Sequence, residues 1–148
     1  MRTPILRPIA VALWLGAGLA GAGAQQAAVE SREVYWVRFA EVQPEKMDEF
    51  KALIGRLVAT VRANEPGALA FEWHVADDRR TVQVLERYRD SDAVVAHFAD
   101  VAKTFGPSLK ALSRTTAFYV YGAPNEAVKT LLAGLHPTYL TSFDGFTR

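Results

Sequence analysis

The spacing of hydrophobic and polar positions changes several times along the chain, and each change marks an element. Glu33 to Val42 (EVYWVRFAEV) is rich in β-branched and aromatic residues and predicts a first strand. From Met47 the apolar residues Phe50, Leu53, Ile54, Leu57, Val58 and Val61 recur at three- and four-residue steps, the mark of a long amphipathic helix. Pro44 suits a first helical turn, and Glu45, Asp48 and Glu49 complement the positive helix end. Asn64 and Pro66-Gly67 stop the helix, because proline disfavours helical backbone in the residue before it.

Ala68 to Ala76 and Arg80 to Tyr88 predict a hairpin around Asp77-Asp78-Arg79. With Asp78 and Arg79 at the turn centre, His74 opposes Gln83 and Glu72 opposes Leu85. That register puts Leu69, Phe71, Trp73, Val75, Val82, Val84, Glu86 and Tyr88 on one face. A turn one residue longer would regroup the faces. Asp90 or Ser91 caps a second helix whose buried stripe is Val94, Val95, Phe98, Val101, Ala102 and Phe105, closed by Gly106-Pro107. A helical turn over Ser108 to Ser113 precedes a fourth strand, Thr115 to Tyr121. Pro124 to Ala133 is a short helix, and His136 to Arg148 an aromatic-rich tail.

The order β-α-β-β-α-β is that of a ferredoxin-like α+β fold: a four-stranded antiparallel sheet with both main helices on one face, followed by an extra helix and tail. The second face, with Ala70 and Leu85 among polar residues, is half apolar, which favours pairing with a twin sheet in a homodimer.

The first residues change the compartment. Met1 to Ala24 reads as a signal peptide, with Arg2 and Arg7 before an apolar Ile9 to Leu19 and a small-residue site at Ala22-Gly23-Ala24. The apolar run is short for a membrane span, so an exported, periplasmic protein without stable membrane association is expected over one with a retained anchor. Removing the leader takes Lys+Arg from 17 to 15 against 16 Asp+Glu, and the formal charge from +1 to −1. Neither value, with no basic cluster beyond Arg79-Arg80, suits a nucleic-acid partner. The absence of cysteine excludes disulfides and thiolate chemistry. Gln25 to Arg32 is a polar lead-in to a domain spanning 33–123, and 124–148 forms the C-terminal helix and tail.

Glu65-Pro66-Gly67, Phe71-Glu72-Trp73-His74, Leu85-Glu86-Arg87-Tyr88 with Asp90, and Ala96-His97 together resemble the antibiotic biosynthesis monooxygenase domain, a family of small dimeric α+β barrels. Val42 to Phe50 fits the same pattern, and the resemblance covers roughly residues 34 to 122. It implies a homodimer and, from the oxygenases of the family, oxidation of a quinol or other phenolic small molecule by molecular oxygen without a cofactor. The sequence holds no dinucleotide, P-loop or zinc-protease motif that would argue otherwise. The haem-degrading branch of the family needs an Asn on the first strand, absent here, while His97 and Pro107 stand where its Trp and axial His would be.

Such chemistry needs an apolar pocket and a base that generates the substrate anion. Glu86, set among Val82, Val84 and Tyr88, is the candidate base; its other reading is an ion pair with Arg38 or Arg87, or a bond to a backbone amide. Trp73 and Tyr88 are candidate ring contacts, or plain core. His97 belongs at the edge of its helix's apolar stripe, where a pocket mouth could open, or a boundary histidine could sit. Glu72 and His74 read as polar residues of the dimer interface, and His136 as unassigned. Two other readings stay open: a non-enzymatic periplasmic dimer that holds an apolar ligand or protects against stress, and an isomerase or lyase using Arg38 and Arg87. Tyr139, Leu140, Phe143 and Phe146 are too apolar for a free end and are expected to pack.

Overall fold

In a computed structural model that describes residues 31–145, the pairing of strands begins with β1, Val34–Val42. A single 3-10 turn at Pro44–Lys46 leads into helix α1, Met47–Asn64, whose buried residues are Met47, Phe50, Leu53, Ile54, Leu57 and Val61. Pro66 takes Glu65 out of helical backbone (φ −119°, ψ 77°), and α1 stops there. Strands β2, Ala68–Val75, and β3, Thr81–Tyr88, form the hairpin in the expected register, His74 against Gln83 and Glu72 against Leu85. A bulge between Ala68 and Ala70 turns Leu69 outward, so the expected inner position of Leu69 passes to Ala68.

The turn is built by Asp78, whose carboxylate accepts from the Thr81 hydroxyl at 2.6 Å and from the amides of Arg80 and Thr81. Those bonds, the Thr81 hydroxyl first, hold its pKa down at about 2, below the ordinary 3.8. A carboxyl with a depressed folded-state pKa contributes stability above its unfolded pKa and loses it as pH falls through the folded one. The melting-temperature difference between the protein and Asp78→Ala is therefore expected to be constant near neutrality and to shrink between about pH 4 and pH 2. Thermal unfolding of both across that range is the check.

Asp90 caps α2, Ser91–His97, accepting from the Ala93 amide at 2.9 Å. The second helix is not one regular element. After His97 the chain takes a π-helical turn, Phe98–Ala102, and Gly106-Pro107 opens α3, Gly106–Leu112, rather than closing α2. Proline is at home in a first helical turn, where its missing N–H has no partner to lose. Strand β4 is Ser113–Gly122, α4 is Glu126–Leu132 capped by Asn125, and a 3-10 turn at Ala133–Leu135 follows.

The sheet has five strands in the order β2-β3-β1-β4-β5. The first four make the expected antiparallel ferredoxin-like sheet; the fifth, Thr138–Tyr139, comes from the expected tail and pairs parallel with β4. The anticipated packing of the tail is not met within one chain: Tyr139 and Leu140 are exposed and Phe143 fully so. Phe146, like Met1 to Ala24, lies outside the described residues. One core cluster lies between α1 and the sheet; a second joins Val34, Trp36, Tyr88, Val94 and Phe118 to Val128 and Leu132 of α4. Among the described residues no helix is long and apolar enough to cross a membrane.

Candidate functional site

Alternation along β3 turns Val82, Val84, Glu86 and Tyr88 toward the helices, and all four are buried. Glu86 is only 3% exposed. Two steps apart on one strand face, its carboxylate and the Tyr88 ring lie side by side, and the Tyr88 hydroxyl donates to Glu86 Oε2 at 2.6 Å. Burial, reinforced by the negative charge of Glu86, pushes the Tyr88 hydroxyl well above its usual pKa of 10. It therefore stays a protonated donor throughout the physiological range. The expected ion pairs of Glu86 with Arg38 or Arg87 do not form; Arg87 lies on the other face, paired with Glu33 at 3.2 Å.

His97 lies deeper than its expected place at the stripe's edge, at 5% exposure. The π turn explains the difference. Its wider winding rotates the following residues backward about the helix axis, so Val101 and Phe105 align with Val94 and His97 in one buried stripe. Val95, before the turn, and Ala102, within it, fall outside that stripe and are exposed. Nδ1 of His97 faces Glu65 Oε2 at 2.8 Å, and Nε2 faces Glu86 Oε2 at 3.5 Å. The second distance is long for a hydrogen bond, the kind of separation that tightens when a substrate arrives. Glu65 is carried in by the non-helical backbone that Pro66 imposes, and its Oε1 is buried with no hydrogen-bond partner.

Glu65, His97, Glu86 and Tyr88 thus form a chain of contacts in series from the end of α1 to β3. The ring can take a proton at one nitrogen and release one at the other, moving it between two enclosed carboxylates. Because the imidazole separates the carboxylates, their oxygens do not converge on one point. Among the described residues no group of three or more acidic or histidine side chains is arranged to hold a metal.

Glu86 and His97 both line one cavity of about 680 Å³ between sheet and helices. Its aromatic walls are Trp36 of β1, Phe98 of the π turn and Phe118 of β4; Leu131 and Leu135 close it from the α4 side. Trp73 and Tyr88, the expected ring contacts, do not line it. Tyr88 is fully enclosed, 5.0 Å from the Trp36 ring, with its hydroxyl engaged by Glu86. Trp73 stands on the edge strand β2, beyond β3, and lines a separate cleft of about 290 Å³ with Met47 and Phe50. Glu72 and His74 lie 3.7 Å apart on the outer face, and His136 is an exposed residue in left-handed backbone (φ 51°).

Sequence reasoning missed Glu65 and Trp36. Glu65 read only as part of a helix stop. Trp36 could have been found by carrying the inward alternation of β3 across to β1, where Val34, Trp36, Ala40 and Val42 are buried in step.

Residues 34–102 match the family model described as antibiotic biosynthesis monooxygenase. No curated protein matches the sequence. Among solved structures, the fold is similar to MupZ from Pseudomonas fluorescens, at 20% identity and a TM-score of 0.69, covering 79% of this chain and 95% of that one. A Caulobacter crescentus CB15 protein provisionally described as an antibiotic biosynthesis monooxygenase is 29% identical, with a TM-score of 0.54 over 62% of this chain and 87% of that one. The N63A mutant of SnoaB, a cofactor-independent oxygenase from Streptomyces nogalater, is 22% identical, with a TM-score of 0.53 over 64% and 95% of the two chains.

Proposed function

We propose that this chain, which belongs through residues 34–102 to the antibiotic biosynthesis monooxygenase family, oxidises a quinol or related phenolic compound with molecular oxygen and no cofactor. The observation that carries this reading is the opening of Glu86 and His97 into one largely apolar cavity. A ring held against Trp36 and Phe118 would present its hydroxyl to Glu86, which takes the proton. Tyr88 holds Glu86 in place, and His97, held by Glu65, passes the proton on. The electron-rich anion gives one electron to oxygen, the pair recombines as a hydroperoxide, and loss of water leaves a ring carbonyl. The apolar walls exclude water from the reactive anion.

The assembly proposed is a homodimer. The outer sheet face carries Tyr35, Val37, Phe39, Leu85, Tyr119 and Tyr121, with Tyr35 and Tyr121 stacked at 5.0 Å, a broad apolar surface for a twin sheet. The leader-like first residues favour export to the periplasm. Purified protein is expected to consume oxygen with a hydroquinone or anthrone substrate faster than the substrate oxidises alone. An electrode trace no steeper than autoxidation across a panel of phenols would leave a binding protein instead.

A further inference from the structure

Arg38 is an inward-facing cation with no acidic partner among the described residues. It follows Trp36 by two residues on the inner face of β1, opposite Val84 and Phe118, and it lines the cavity that holds Glu86 and His97. The ion pairs among the described residues include neither Arg38 nor Lys110. Arginine hydrogen bonds between side chain and protein belong there to Arg56, Arg89 and Arg114. The guanidinium instead lies over the Trp73 ring, 5.9 Å from its centre, which steadies it without engaging its donors. Trp73 thereby acts on the cavity from behind Arg38. Lys110 adds a second positive charge to the lining, from α3.

We infer that Arg38, backed by Lys110, is an anion subsite for a carboxylate on the ligand's ring, opposite the end that meets Glu86. Half-buried arginine presents a planar fork that matches a carboxylate in two parallel bonds, and partial exclusion of water strengthens that pair. The spacing suits one aromatic ring. Trp36 is the residue paired with Glu86, and two residues of strand separate it from Arg38, about 7 Å. A ring hydroxyl and a carboxylate meta or para to it, as the 5-hydroxyl and carboxylate of gentisate are meta, span a similar length. The substrate class is then a hydroxylated aromatic acid rather than a neutral quinol. The inference takes the phenolic ring from the proposed function, but the subsite itself requires no turnover.

The test is calorimetric titration without oxygen at low salt, using gentisate, a hydroquinone bearing one carboxylate, and its neutral amide. The protein is expected to bind gentisate at least ~10-fold more tightly than gentisamide, the scale of one charge-assisted pair. Arg38→Gln should abolish that preference and leave gentisamide affinity within about 3-fold, since only the charge pair is lost. Arg38→Lys should keep part of the preference, having charge but no fork. Lys110→Gln should reduce it less, from its exposed position. Equal binding of acid and amide to the unsubstituted protein, no binding of either at ~1 mM, or a preference that survives Arg38→Gln would overturn the subsite. The first two need no variant to fold. Preference for the acid with no oxygen uptake in air would sink the oxygenase reading and leave the subsite standing.

Discussion

Glu86→Gln is expected to lower kcat for oxygen uptake by about 10²- to 10⁴-fold, the usual contribution of a positioned base. The fold should survive the change. An amide oxygen can still accept from the Tyr88 hydroxyl that now lies 2.6 Å from Glu86 Oε2, and the two side chains have nearly the same shape. What the amide lacks is a basic oxygen facing both the cavity and His97 Nε2. A circular dichroism spectrum and melting temperature close to those of the unsubstituted protein, with turnover lost, would separate a role in proton transfer from one in packing. Equal turnover would remove Glu86 from the reaction.

The series arrangement makes a second demand on the same measurement. Glu65 does not line the cavity; it acts on His97, holding Nδ1 at 2.8 Å and with it the orientation of the ring. Glu65→Gln should therefore cost less than Glu86→Gln. The double variant should be little worse than Glu86→Gln alone, since groups acting in one chain lose their effect together. Additive losses would mean that Glu65 and Glu86 work separately.

How much of this was legible in the sequence depends on the range over which each feature is encoded. The inward direction of Glu86 and Tyr88 follows from alternation and one turn, both local, and the hairpin register read from Asp78 and Arg79 matches the strand pairing. The stopping of α1 at Pro66 was equally local. The partnership of Glu65 with His97 was not, because it joins positions 32 residues apart, the residue that follows α1 and the last residue of α2. The depth of His97 depended on a π turn that has no clear residue signature: an ideal helix of 3.6 residues per turn leaves it at the edge. Trp73 was assigned to the right face, but sharing a face does not mean sharing a cavity: on the edge strand, opposite Val84 and with the Arg38 guanidinium over its ring, it opens into the cleft beside α1. The fifth strand was invisible for a simpler reason. Two residues of parallel pairing carry no periodicity, and Thr138–Tyr139 owes its conformation to the edge of β4.

Leu132→Ala should produce the largest loss of stability, about 2 to 5 kcal/mol, because it empties a fully enclosed site where neighbours can close in only partly. Leu132 packs with Val34, Trp36, Tyr88 and Phe118, so the hollow would open beneath the residues that position Glu86. Its neighbours Leu131 and Leu135 face the cavity. Loosening α4 should therefore weaken ligand binding along with the fold. Leu131→Ala provides the contrast. Leu131 is 42% exposed, so its loss should leave the melting temperature nearly unchanged, within the ~0.5 kcal/mol of ordinary surface changes, while removing wall area that a ring would touch. Thermal melts and ligand titrations of the two variants then separate α4's contribution to stability from its contribution to the cavity wall. If Leu132→Ala unfolded at the same temperature as the unsubstituted protein, α4 would be an appendage rather than a part of the core. If instead both variants lost stability and neither lost binding, the cavity would owe nothing to the C-terminal elements, and its functional wall would be the sheet and π turn alone.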